Sequence, residues 1–134
     1  LESHTERVTD MALEIGMKNT VTINVTGAMC ADCLDSQLPQ VELPHVFSTP
    51  SMINLMELTC ADLLEKNLAP GQGSVGMAVE VRHLAATPEG GRVTCEAEVA
   101  EIKGNKVLFN VSASDEKAQI GKGTHKRAII TKKK

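Results

Sequence analysis

Between Ser48 and Asn67 the chain carries its only strong helical signal, and that helix is apolar around more than one face. Met52, Ile53, Met56, Cys60, Leu63 and Leu64 fall on one arc at helical spacing, while Leu55 and Leu58 lie outside it. A helix lying on a protein surface needs only one apolar stripe, so this one must be wrapped by other elements. Ser48 or Thr49 can cap its N-terminus, and Pro50 sits in the first turn, where a missing N–H is tolerated. Ala69-Pro70-Gly71-Gln72-Gly73 then breaks the chain.

The partners for this helix are written as strands. Val21, Ile23 and Val25 alternate with polar residues over Thr20 to Thr26, the pattern of a half-buried strand. Gly27 to Ser48 is a long irregular stretch with Pro39 and Pro44, expected to be a functional loop or pocket cover with a helical turn around Ala31 to Gln37. After the helix, Val75, Met77, Val79 and Val81 are expected to share one face of a strand from Ser74 to Ala85. Val93, Cys95, Ala97 and Val99 alternate in the next, and Gly104-Asn105 marks a tight hairpin turn. Val107, Phe109, Val111 and Ala113 line a third, and Gln119 to Thr131 forms the last, with Gly121 and Gly123 allowing close backbone approach.

One strand, one buried helix and four further antiparallel strands have a compact solution: the sheet curls around the helix in two layers. That is the α+β hotdog arrangement, expected over residues 13–131, with residues 1–12 a frayed leader and 132–134 a short basic tail. A single copy leaves a sheet edge and one side of the helix bare. A back-to-back homodimer with a continuous sheet, possible as part of a higher assembly, is the expected remedy.

Composition narrows the function. Two Phe, no Tyr and no Trp give no stacking platform for bases, and a net charge of −3 gives no general attraction to nucleic acid or anionic membrane. No apolar run reaches membrane-span length and no signal-peptide pattern is visible, so a cytoplasmic setting with reduced thiols is expected for Cys30, Cys33, Cys60 and Cys95. Cys30 and Cys33 form a C-x-x-C, but no second pair follows, and no metal is expected there.

Three polar residues stand out by position. Glu57 borders the helix's apolar arc, His83 continues the register of the strand toward the helix, and Thr49 stands at the helix start among unsatisfied N–H groups. A carboxylate and an imidazole facing an aliphatic space suit acid–base work near neutral pH. Each also has a plain structural use: a boundary carboxylate, a hydrogen-bonded core-edge histidine, an N-cap threonine.

Val46-Phe47-Ser48-Thr49-Pro50-Ser51-Met52-Ile53-Asn54-Leu55-Met56-Glu57 resembles the helix entry of the fluoroacetyl-CoA-thioesterase-like branch of hotdog proteins. Gly73-Ser74-Val75-Gly76, the run His83 to Gly90, and Ile120 to Arg127 are similar to the same branch, in the same order. The resemblance implies a thioester hydrolase with Thr49, Glu57 and His83 as its catalytic set, Glu57 acting as nucleophile or as base for water. It implies a Gly76 backbone N–H near the thioester, active sites at a dimer interface, an acyl-CoA substrate, and no separate cofactor, because coenzyme A is part of that substrate. Gly76, Phe47, Leu43 and Met77 are the candidate substrate-binding residues. The fluoroacetyl-selective member has aromatic lid residues where this chain carries Gln40 and Leu43, so selectivity for fluoroacetate is not expected; the aliphatic surroundings favour a short acyl group. His125 and Arg127, like Arg82, Lys122 and Lys126, are candidates for the coenzyme's phosphates or for a solvated face. A non-catalytic acyl-CoA-binding module, an enoyl-CoA hydratase and a purely structural dimer are the rival readings.

Overall fold

A computed structural model describes residues 13–34 and 41–132. Strand β1 (Lys18–Asn24) is followed by two short 3-10 turns (Gly27–Met29 and Ala31–Cys33), helix α1 (Thr49–Glu65), and strands β2 (Gln72–His83), β3 (Arg92–Lys103), β4 (Lys106–Ser114) and β5 (Gln119–Thr131). All pairings are antiparallel, in the order β1-β3-β4-β5-β2. This is the hotdog arrangement: α1 lies across the curled sheet and touches all five strands. The expected leader and Gln40 fall outside the described residues, as does the later part of the turn expected to run to Gln37.

Local chemistry sets the ends of α1. The Ser48 hydroxyl accepts a hydrogen bond from the Ser51 N–H at 3.1 Å, satisfying one of the donors a helix start leaves open. Met52, Leu55, Met56, Thr59, Cys60, Leu63 and Leu64 are buried, so Leu55 joins the core although it lies off the main arc. Leu58, by contrast, is 58% exposed. Opposite the helix, Val93, Cys95, Ala97 and Val99 of β3 and Val107, Phe109, Val111 and Ala113 of β4 are buried, the strict alternation of a sheet with one dry face.

One expectation fails. β2 does not keep Val75 and Met77 on the face of Val79, Val81 and His83. Gly76 pairs with Arg127 but Ala78 pairs with Lys126, leaving Met77 as an extra residue in a bulge. A bulge shifts the alternation by one residue. The inward residues therefore run Ser74, Gly76, then Val79, Val81 and His83, facing Ile129, Arg127, His125, Gly123 and Gly121 of β5. Val75 and Met77 are left 44% and 50% exposed on the sheet-edge strand.

The glycines of β5 are required by close approach. A side chain at Gly123 would run into the Glu80 carbonyl and come within 2.6 Å of Val81 Cα; one at Gly121 would meet the Met52 thioether. Both keep β5 against its neighbours at the end of β2 that carries His83.

Candidate active site

Thr49, the first residue of α1, and His83, the last of β2, meet at the mouth of one cavity. Thr49 Oγ1 lies 2.7 Å from His83 Nδ1. The other ring nitrogen, Nε2, is buried and has no hydrogen-bond partner among the described residues. Burial lowers the His83 pKa below its ordinary value of 6.5, which favours the neutral ring at neutral pH. The cavity holds about 370 Å³ and is lined by Phe47, Ser48, Leu84 and Ala86 as well as this pair. Phe47 is 1% exposed, and its backbone N–H donates to the Thr87 carbonyl oxygen at 2.8 Å, pinning the segment that enters the helix.

Glu57 is not in that cavity. It stands two turns further along α1, roughly 12 Å up the axis at the rise of an α-helix. It opens into a second space of about 290 Å³, shared with Gly76, Met77, Val79 and His125. No residue lines both cavities. Within one chain the helix carboxylate and the strand imidazole therefore open into separate cavities. The physical reason is helical rise: Thr49 opens α1, whereas Glu57 lies eight residues on, near the middle of the helix.

The Glu57 space has its own polar wall. A side chain at Gly76 would lie 3.3 Å from His125 Cε1, 3.4 Å from Arg127 Nη1 and 3.7 Å from Glu57 Oε1, so the glycine leaves room where these three groups come together. His125, 1% exposed, donates through Nδ1 to the Ala78 carbonyl oxygen at 2.9 Å, and its Nε2 then accepts from Arg127 Nη1 at 3.1 Å. Arg127 is held in turn by Ser74, donating from Nε to the hydroxyl at 2.9 Å and from Nη2 to the carbonyl oxygen at 3.2 Å. Desolvation depresses the His125 pKa, and the guanidinium reinforces this. The result is a buried fixed positive charge beside Glu57, backed by a neutral imidazole. Sequence reasoning placed His125 and Arg127 on one face with Ile129 but left them among candidates for a solvated or phosphate-binding face. Their inward register, shared with Gly121, Gly123 and Ile129, was the available signal. Leu43, by contrast, is 50% exposed and lines neither cavity, while Pro44 and Val46 beside it border the Thr49–His83 cavity.

A family model described as fluoroacetyl-CoA-specific thioesterase, FlK, matches residues 25–133. The chain belongs to the FlK family. A fluoroacetyl-CoA thioesterase from Streptantibioticus cattleyicolor is 46% identical over 89 residues, a match spanning 66% of this chain and 64% of that relative's length. Among solved structures, a mutant of the thioesterase FlK in complex with fluoroacetate and CoA superposes with a TM-score of 0.85 at 38% identity, covering 89% of this chain and 96% of that one. A Thermus thermophilus hypothetical protein of the thioesterase superfamily gives a TM-score of 0.81 at 29% identity, over 89% of this chain and 85% of its own. Membership in the FlK family agrees with the hotdog topology found above. No described helix is long and apolar enough to cross a membrane.

Proposed function

We propose that this protein is a cytoplasmic acyl-CoA thioesterase for a short acyl group, with each active site assembled from two copies of the chain. The observation that carries the reading is the complementarity of the two cavities. One holds a neutral imidazole with a buried, unpaired Nε2; the other holds a carboxylate and a bare glycine backbone. Thioester hydrolysis needs both.

A two-fold axis supplies the missing juxtaposition. β2 is an edge strand with Val75 and Met77 exposed along it, and a bare apolar edge is suited to pairing with a second copy. Antiparallel pairing of β2 with its partner, centred near Val79 and Glu80, sets His83 opposite Gly76 of the partner subunit. Within one chain these residues are roughly 23 Å apart along the strand. Across a paired strand they would be about 5 Å apart. His83 of one protomer and Glu57 of the partner subunit then border a common space.

In that site the Thr49 hydroxyl donates to His83 Nδ1, fixing the tautomer whose Nε2–H points at the substrate carbonyl oxygen. The Gly76 N–H adds a second donor to the developing oxyanion. Glu57 attacks the carbonyl carbon or draws a proton from the attacking water, with the Arg127 guanidinium near the same Gly76 gap. The tetrahedral intermediate collapses with cleavage of the C–S bond, and the thiolate takes a proton from solvent; where Glu57 is the nucleophile, water then hydrolyses the acyl–Glu57 anhydride, releasing the acid and restoring the carboxylate. The coenzyme belongs to the substrate and no separate cofactor is needed. Relatives are named for fluoroacetyl-CoA, but exposed Leu43 supplies no aromatic cover, so acetyl-CoA and propionyl-CoA are expected to be turned over at least as readily.

Thiol release from a panel of short acyl-CoAs tests this reading. Turnover that falls by about 10²–10⁴-fold in Glu57→Ala and His83→Ala supports it. Tight binding without thiol release would make the protein a binding module instead, and loss of an enoyl double bond without thiol release would make it a hydratase.

A further inference from the structure

Away from both cavities, Asp32, Cys33 and His45 bring a carboxylate, a thiol and an imidazole together. Their ligating atoms all lie within 4.8 Å of one another. His45 Nδ1 is 2.7 Å from Asp32 Oδ1, and Cys33 Sγ is 3.9 Å from His45 Nδ1 and 3.6 Å from Asp32 Oδ1. Donor atoms around a tetrahedral Zn²⁺ stand roughly 3.3–3.6 Å apart, given Zn–S and Zn–N bonds of about 2.3 and 2.0 Å. Shifts of under about 1 Å would bring the three donors to bonding distance.

A second feature points the same way. His45 Nε2 is 2.7 Å from Glu89 Oε1 on the turn before β3. Metal-binding histidines commonly donate their other ring N–H to a carboxylate, which orients the ring and raises its basicity. Here that partner is already in place. The three donors are partly open to solvent, with His45 44% and Asp32 37% exposed, so an ion can reach them. Cys30, the other half of the C-x-x-C, is buried and its thiol turns away to the Thr26 carbonyl oxygen. The ligand set is therefore not the C-x-x-C pair, at which no metal is expected from sequence, but Cys33 with two residues of other types.

We propose that Asp32, Cys33 and His45 form a binding site for a borderline divalent transition metal, Zn²⁺ by chemical class. Thiolate and imidazole donors select such ions over Mg²⁺ and Ca²⁺. Binding displaces the Cys33 thiol proton and the His45 Nδ1 proton to solvent. A water completes the tetrahedral coordination at an exchangeable fourth position. The ion ties the segment around Cys33 to the one around His45. Ala31 and Pro44, their chain neighbours, line the Thr49–His83 cavity, so the metal braces one wall of it. This inference does not depend on the thioesterase reading.

Co²⁺ titration of the full chain, stripped of metal and kept reduced, tests the proposal optically. The expected result is a thiolate-to-cobalt charge-transfer band that saturates at one equivalent and is bleached by Zn²⁺. Cys33→Ser should abolish the band, while Cys30→Ala should leave it. His45→Gln should remove tetrahedral binding, and Glu89→Gln should weaken affinity by roughly 10–100-fold. Circular dichroism of each variant checks that the fold is retained, and the exposed Cys33 makes its substitution the safest arm. Absence of a saturable band in the wild type would overturn the proposal. So would a band that survives Cys33→Ser or disappears only in Cys30→Ala.

Discussion

Replacing Gly76 with Ala separates the proposed chemistry from stability. The backbone there is not among the positive-φ glycines, so a side chain adds no conformational strain. The new methyl would sit 3.3 Å from His125 Cε1 and 3.4 Å from Arg127 Nη1, tight but not impossible contacts. That crowding opposes the roughly 0.5–1 kcal/mol gained by losing glycine's freedom in the unfolded chain. Net stability should change by less than about 1 kcal/mol, within about 5 °C in thermal midpoint. Activity should respond differently. The methyl lies 3.7 Å from Glu57 Oε1, in space that a reacting carbonyl or water would need. Reacting atoms must come within about 3–3.5 Å, and a displacement of about 1 Å costs on the order of 10²-fold. The expected fall in kcat/KM is therefore about 100-fold, or about 2.7 kcal/mol of transition-state stabilisation. Thermal unfolding and thiol-release kinetics on the same preparation read both quantities. A folded variant with kcat/KM within about threefold of wild type would refute the placement of the reaction beside Gly76.

Further outcomes follow from the same geometry. Burial depresses the folded-state pKa of both His83 and His125, so below pH 6.5 these two sites bind more protons in the unfolded chain than in the folded one, whereas the raised pKa of His45 acts at higher pH. Stability should therefore fall as pH drops below 6.5 and level off below the folded-state values, and urea unfolding between pH 7 and pH 5 should show it. His83→Gln and His125→Gln should each flatten that slope. Gly123→Ala should destabilise by roughly 3 kcal/mol, because the added carbon meets the backbone of Glu80 and Val81. Gly121→Ala should cost less, since it presses mainly on the flexible Met52 side chain; equal losses in urea titrations would contradict this.

The fold was legible because its signals are periodic. The bounds of β5 and the inner faces of β3 and β4 follow directly from alternation over long strands. The buried helix announced itself through apolar residues on more than one face. The bulge at Met77 was not legible, because one extra residue changes the face of everything before it without changing composition. Arg127 escaped for a related reason: a charged residue on an inward register looks like a surface residue until Ser74 and His125 are seen to satisfy its N–H groups. The three catalytic candidates stood out by position and were matched by the resemblance, yet their distribution over two cavities depends on the rise of the helix between Thr49 and Glu57. Spacing hinted at this through the distance from Thr49 to Glu57. The cluster around His45 was invisible, because its residues are brought together by loop conformation from positions with no regular spacing.

The proposed composite site is tested most directly by mixing subunits. Heterodimers of Glu57→Ala with His83→Ala, purified on two different tags, should regain one intact site and turn over acyl-CoA at about half the wild-type rate per dimer. Heterodimers of wild type with the double variant Glu57→Ala/His83→Ala should be inactive. The reverse pattern, with the first pairing dead and the second half-active, would mean that each chain carries its own complete site and would contradict the account.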